Sequence, residues 1–208
     1  MRDTLDYNST PMGYLSGFCD LILLNLFFLV SCLPVVTIGA AVCGMYHVNL
    51  KTVRGESGSV WKLYWEGFRS NFRQATFFWI LFLGLCLLLA LDWWVMPVML
   101  PAFYQIPRVM LIMVFAAACC MVIYVFPIVT RFVCTTQQAA GNALRMMAGH
   151  FPWTVLLLLL HGVIPILCGL SELFFLYAAC AFLICGFSTI NLIASHIFNR
   201  ILKRYERI

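Results

Sequence analysis

Four apolar runs, at about 75–97, 108–130, 152–170 and 173–198, constrain this chain more than any other feature. A bilayer core about 30 Å thick is crossed by about 20 helical residues, and each run is close to that length or exceeds it. A further apolar stretch, from Gly17 to Leu50, is about 34 residues long, or about 50 Å as a single helix. That is too long for one crossing, even with tilt. Pro34 stands at its midpoint, where it disfavours helix at the preceding residue and removes a backbone donor. Two helices, 15–33 and 38–53, joined by a tight Pro34-Val-Val-Thr37 turn, account for the length. The expected fold is therefore all-α: a polytopic membrane bundle forming a single domain over 1–208, with six transmembrane helices. The runner-up is five spans with a kinked or re-entrant first segment.

Composition leaves little alternative. Of the 208 residues 63% are apolar and only 10% are charged, against about 45–50% and about 25% in ordinary globular domains. So few charges do not cover a soluble particle of this size, and disorder needs the opposite balance. The net charge is +5, but its basic residues flank apolar segments instead of forming one face, which speaks against nucleic-acid binding. The 51–73 loop carries five basic and two acidic residues. The 131–151 loop and the C-terminal tail (Arg200, Lys203, Arg204, Arg207) are also basic, whereas 98–107 and the turn at Glu172 carry no basic residue before Arg108. Positive charge marks the cytoplasmic side, so these loops and the C-terminus are expected on the cytoplasmic side of the membrane, and with six helices the N-terminus too. The start of the chain, with Arg2, Asp3 and Asp6, does not read as a signal peptide.

Two cytoplasmic segments have helical amphipathic spacing. In 60–73, Trp61, Trp65, Phe68 and Phe72 oppose Lys62, Glu66, Arg69 and Arg73. In 136–151, Ala140, Leu144, Met147 and Phe151 oppose Gln137, Gln138 and Arg145. Both are expected to lie as interfacial helices. Pro34-Val-Val-Thr37 and Pro127-Ile-Val-Thr130 share a pattern but occupy opposite ends of spans, so the match is taken as coincidence.

Ionisable groups within a bilayer are candidates for function by default. His161 lies in the middle of 152–170, Asp92 near the outer end of 75–97, and Asp20 near the start of the first helix. Each also has a plain structural reading: a helix–helix hydrogen bond for His161, headgroup contact for Asp92, and a helix N-terminus for Asp20. His47 and His196 fall near cytoplasmic ends. Asn25, with Ser188, Asn191 and Ser195 on one helix face, reads as polar glue between helices. Gly39-Ala40 and Cys43-Gly44 form a small-xxx-small face suited to close helix contact. The ten cysteines show no zinc spacing and read as small hydrophobes. No hydrolase, zincin or nucleotide-binding motif is present, and no cofactor or metal is expected.

The stretch Asn25 … Leu33-Pro-Val-Val-Thr-Ile-Gly-Ala-Ala41 … Met45-Tyr-His-Val48 … Arg54-Gly-Glu56 … Trp65-Glu-Gly-Phe68 … Asn71-Phe-Arg-Gln-Ala-Thr76 resembles the YesL-like family of bacterial membrane proteins. Phe126-Pro-Ile-Val-Thr-Arg-Phe132 and Asn142-Ala-Leu144 resemble it too. The resemblance implies a small multi-span protein of Gram-positive type bacteria, encoded beside carbohydrate uptake and polysaccharide-utilisation genes. That family has no established activity, so no catalytic residue is carried over. The leading expectation is a non-catalytic accessory protein of carbohydrate uptake, whose partners are the bilayer and a carbohydrate transporter component. The alternatives are a solute transporter or substrate-binding membrane subunit, and a membrane enzyme acting on lipid or glycan. The last would need Asp92, His161 and Asn25 to come together.

Overall fold

A computed structural model describes residues 11–56, 58–99, 105–170 and 172–205. Arg2, Asp3, Asp6, Arg207 and residues 100–104 of the 98–107 connection lie outside them. The described chain is helical, with no strand among the described residues. In order, the elements are α1 (Pro11–Ser31), a short 3-10 turn (Val35–Thr37), α2 (Ile38–Val53), α3 (Val60–Met99), α4 (Gln105–Arg131), α5 (Thr136–Gly149), α6 (Phe151–Leu170), α7 (Glu172–Ala181), a π-helical turn (Phe182–Gly186) and α8 (Phe187–Tyr205).

The break at Pro34 forms as its chemistry requires. Helix α1 ends at Ser31, and the Thr37 hydroxyl returns to the Ser31 and Pro34 carbonyls at 2.5 and 2.7 Å. The Trp79 indole N–H donates to the Val35 carbonyl at 2.8 Å. Pro34 has no N–H to satisfy, so the turn leaves few backbone groups open. Its side chains are apolar and exposed: Leu33 is 81% exposed, and Val35 and Val36 about half.

Helix α2 is the centre of the molecule. Ten of its 16 residues are buried, including Asn49 and all four small residues of the Gly39–Gly44 face, Gly39, Ala40, Cys43 and Gly44. It packs antiparallel against the first half of α3 at a distance only glycine allows. A Cβ on Gly39 would stand 2.6 Å from the Ala75 carbonyl oxygen, and one on Gly44 would stand 2.8 Å from the Tyr64 ring. From the α3 side, a Cβ on Gly67 would collide with the His47 side chain. The expected small-residue contact is therefore present, and it joins α2 to α3.

Several boundaries differ from expectation. The amphipathic segment 60–73 and the following span are one unbroken helix of 40 residues, about 60 Å long. Nothing between them terminates a helix, because 71–76 contains neither Pro nor Gly. The side chain that anchors this segment is Tyr64, fully buried among Leu24, Phe28, Ala41, Met45 and Val48. Trp65 and Phe68 only flank it, and Trp61 is exposed. In α5 the buried stripe is Ala139, Ala143 and Met146, one position away from the expected one, while Leu144 and Phe151 are exposed. Two adjacent apolar stripes made the register ambiguous, and the one that meets α4 is buried. Helix α5 opens with a capping box between Thr135 and Gln138, which satisfies two free N–H groups. It turns by 102° into α6, as a helix lying across the end of a bundle does.

The expected six crossings are not all matched by length. Among the described residues, Val60–Val95, Pro107–Arg131 and Phe174–Leu202 are long and apolar enough to cross a membrane, and a bent pair over Thr136–Gly162 raises the number to four. The described apolar part of α1 is Ser16–Ser31, and α2 has only 16 residues. Their shared turn is bonded to Trp79, the midpoint of α3, and does not reach its far end. Tertiary packing follows the same division. Among the described side chains, the buried apolar ones on α3 stop at Phe78, and on α4 they begin at Tyr124. Beyond these points Ile80, Leu81, Leu87, Leu88, Val109, Met110 and Met113 are exposed. A patch of that size is what a lipid-facing surface shows.

Glycine substitutions separate contact from composition. Gly39→Ala forces a methyl group onto the α3 backbone and is expected to cost about 1–3 kcal/mol, lowering the thermal midpoint in detergent. Gly84→Ala, where nothing lies within 4 Å, should be neutral or raise the midpoint, since alanine is the better helix former. Equal effects of the two would contradict the packing described.

Candidate functional site

Two features bring polar chemistry into the apolar bundle: a hydrogen-bonded seam and a cavity beside it. The seam begins at the π-helical turn. A π turn shifts the backbone pairing from i→i−4 toward i→i−5 and disturbs the carbonyl ladder locally. The fully buried Asn25 of α1 supplies what is missing. Its amide donates to the Phe182 and Leu183 carbonyls, both at 2.9 Å, and its oxygen accepts from the Ser188 N–H at 3.3 Å. The Ser188 hydroxyl donates to the Leu21 and Cys185 carbonyls at 2.8 and 2.9 Å. One helical turn on, the Asn49 amide of α2 donates to Asn191 Oδ1 at 2.8 Å. Asn25, Asn49, Ser188 and Asn191 thus tie α1, α2 and α8 together through hydrogen bonds made by side chains buried in the bundle. The polar-glue reading of Asn25, Ser188 and Asn191 describes this seam. Asn49 was not singled out in the sequence, although a lone Asn in an apolar helix was a usable signal. Ser195 is buried on the same face, but its hydroxyl has no hydrogen-bond partner among the described residues.

The cavity has a volume of about 490 Å³. It is walled by Phe28 of α1, Ile38, Val42, Met45 and Tyr46 of α2, Trp79 of α3, Val122, Ile123 and Phe126 of α4, His161 of α6, Phe182 of the π turn, and Phe187, Ile190 and Asn191 of α8. Every apolar segment contributes. His161 and Asn191 meet here as wall residues, with Asn25 holding the adjacent turn. His161 Nδ1 lies 2.8 Å from the Leu157 carbonyl of its own helix.

The other two candidates lie elsewhere. Asp92 is buried near the far end of α3, 3.7 Å from Arg108, whose guanidinium sits 4.4 Å over the Trp93 ring. It is 13 residues beyond Trp79, about 20 Å along the helix, so it does not join His161 and Asn25. Asp20 is exposed on α1. At the basic end, His47 and Lys51 each lie 3.7 Å from Glu66, and Arg131 donates to Asn199 at 3.1 Å. No group of three metal-binding side chains occurs among the described residues. The cysteines whose side chains are described are free. In the α4–α5 connection, burial pushes the Cys134 thiol above its ordinary value, away from the reactive thiolate.

Fold and site together describe a helical protein with several apolar helices compatible with a membrane, a buried polar seam and a cavity. A family profile described as "Protein of unknown function, DUF624" aligns with residues 21–93, the part comprising the second half of α1, all of α2 and α3 through Trp93. No curated protein and no solved structure matches the chain. The aligned region contains Asn25, the Pro34 turn and the three contact glycines.

Asn25→Leu removes the partner of two carbonyls and one N–H and is expected to destabilise the protein by about 1–3 kcal/mol, read as a lower unfolding midpoint in detergent. Asp20→Asn, at an exposed position, should stay within about 0.5 kcal/mol of the parent. An Asn25→Leu protein as stable as the parent would show that the seam is dispensable.

Proposed function

We propose that the chain is a non-catalytic accessory protein of the bacterial cell membrane, with its basic end and C-terminus in the cytoplasm, serving carbohydrate uptake. The carbohydrate link comes from the YesL-like resemblance of the segment around Asn25 to Thr76. The observation that carries the accessory role is the length of α3. A helix of about 60 Å is twice the thickness of a bilayer core, so about half of it stands beyond the hydrocarbon. Its basic end presents Trp61, Lys62, Trp65, Glu66 and Arg69 around one surface recess, with Arg69 5.8 Å over the Trp65 ring. Tyr64 and the glycine contacts hold that face rigid. A rigid aromatic and basic surface suits a docking partner as well as headgroups.

Within this reading α1 and α2 enter the bilayer and return without crossing it. The run 75–97 is centred on residue 86, and Trp79 lies seven residues from that centre, about 10 Å toward the basic end. The turn bonded to Trp79 then falls inside the inner half of the hydrocarbon. Irregular backbone survives there only when its polar groups are satisfied, and Thr37 and Trp79 satisfy this turn. α3, α4, α6 and the α7–α8 pair make the crossings, and both termini share one side.

Co-purification from native membranes tests the role. A carbohydrate transport component should be recovered with the parent protein and reduced with the Trp61→Asp, Arg69→Glu double variant. Recovery of no such component, together with intact sugar uptake after gene deletion, would sink the proposal. A second reading, a substrate-binding membrane subunit, is favoured by the cavity alone.

A further inference from the structure

The cavity wall narrows what that second reading would bind. Its volume of about 490 Å³ falls within the range of roughly 300–1,000 Å³ for small-molecule sites. Among the described residues no Lys, Arg, Asp or Glu stands on the wall, so a phosphate or ammonium group there would lose its hydration with no counter-charge from them. The wall is otherwise apolar and aromatic, which fits a hydrocarbon body.

The polar side chains on the wall are Tyr46, Trp79, His161 and Asn191. Two are partly committed. The Trp79 N–H is given to the Val35 carbonyl, and Asn191 Oδ1 accepts from Asn49. At His161 the partner of Nδ1 is a carbonyl, which only accepts, so Nδ1 carries the proton. In the neutral ring Nε2 is then an acceptor. Tyr46 is 3% exposed, and its hydroxyl makes no hydrogen bond to another described residue. What the wall offers is an imidazole acceptor, a phenol that donates or accepts a hydrogen bond, and the amide N–H groups of Asn191. An uncharged hydroxyl, donor and acceptor at once, complements this set. His161 and Phe187 are both wall residues and exposed, so the cavity opens at the lipid-facing surface of the bundle.

We infer that the cavity takes up a neutral, hydroxyl-bearing lipid from the bilayer, its chain against Val42, Phe126 and Ile190 and its hydroxyl toward Tyr46 and His161. This rests on the binding-subunit reading and adds the ligand class to it.

The test uses the full chain in nanodiscs with a photoreactive long-chain fatty alcohol. Hexadecanol, its methyl ether and hexadecyl phosphate serve as competitors. Labelling should saturate and map to wall residues. Hexadecanol should compete about fivefold better than the ether, the worth of one net hydrogen bond, and the phosphate should compete least. Val42→Trp, which fills the cavity, should abolish labelling. His161→Leu, at an exposed position bonded only within its own helix, should shrink the alcohol-to-ether ratio toward one. Labelling at wall residues that the ether or the phosphate competes for as well as the alcohol overturns the hydroxyl assignment and leaves the binding-subunit reading standing. Labelling that does not saturate, or that maps to the lipid face of α4 or α7, overturns both. The mapping decides the matter even if Val42→Trp does not fold.

Discussion

The close approach of α2 to α3 is the constraint on which the rest of the molecule depends. Gly39, Gly44 and Gly67 let two backbones meet where no Cβ fits. At that distance many atoms of the two helices touch at once, and dense packing of this kind is collectively strong although each contact is weak. With α2 fixed on α3, its other faces become the floor for α4, α8 and α1. The larger buried core joins Cys43, Tyr46 and Leu50 of α2 to Tyr124–Val129 of α4 and to Ala194–Leu202 of α8. The smaller one joins α1 to Tyr64.

The hydrogen-bonded seam is the second half of the same design. Apolar packing alone does not fix register, because one leucine replaces another at little cost. Asn25 and Asn49 reach partners on the last helix more than 130 residues away in sequence, and a shift of one position on either helix would leave buried amides unpaired. The π turn and Asn25 are matched to each other. The turn offers carbonyls, and the amide takes them. The cavity borders this same turn, so the device that sets register also shapes the wall.

Much of this was legible in the sequence. Helix class, the break at Pro34, the small-residue face of α2 and the adhesive role of Asn25, Ser188 and Asn191 all follow from residue chemistry. Six spans were expected where three to four helices are long and apolar enough to cross, and hydropathy measures only how apolar a segment is. It cannot tell α2, apolar because it is buried in protein, from a helix that is apolar because it faces lipid. The merging of 60–73 with the next span was hidden for a related reason: amphipathic and uniformly apolar patterns can occupy one continuous helix. The buried faces of α3 and α5 were misplaced because Tyr64 and Trp65, or Ala139 and Ala140, are neighbours that both fit an apolar stripe. Only the identity of the packing partner separates them. His161 was visible as a membrane histidine, but its cavity was not, since the wall draws residues from every apolar segment.

The central claim is that the α1–α2 hairpin stops halfway along α3, inside the hydrocarbon. Depth at Val36 measures it most directly. A spin-labelled unnatural residue at that position, in the reconstituted full chain, reports its surroundings through relaxation by oxygen and by a water-soluble nickel chelate. The account predicts strong relaxation by oxygen and almost none by the chelate added to either face. Strong relaxation by the chelate, as in an aqueous loop, would contradict it and restore a complete double crossing by α1 and α2.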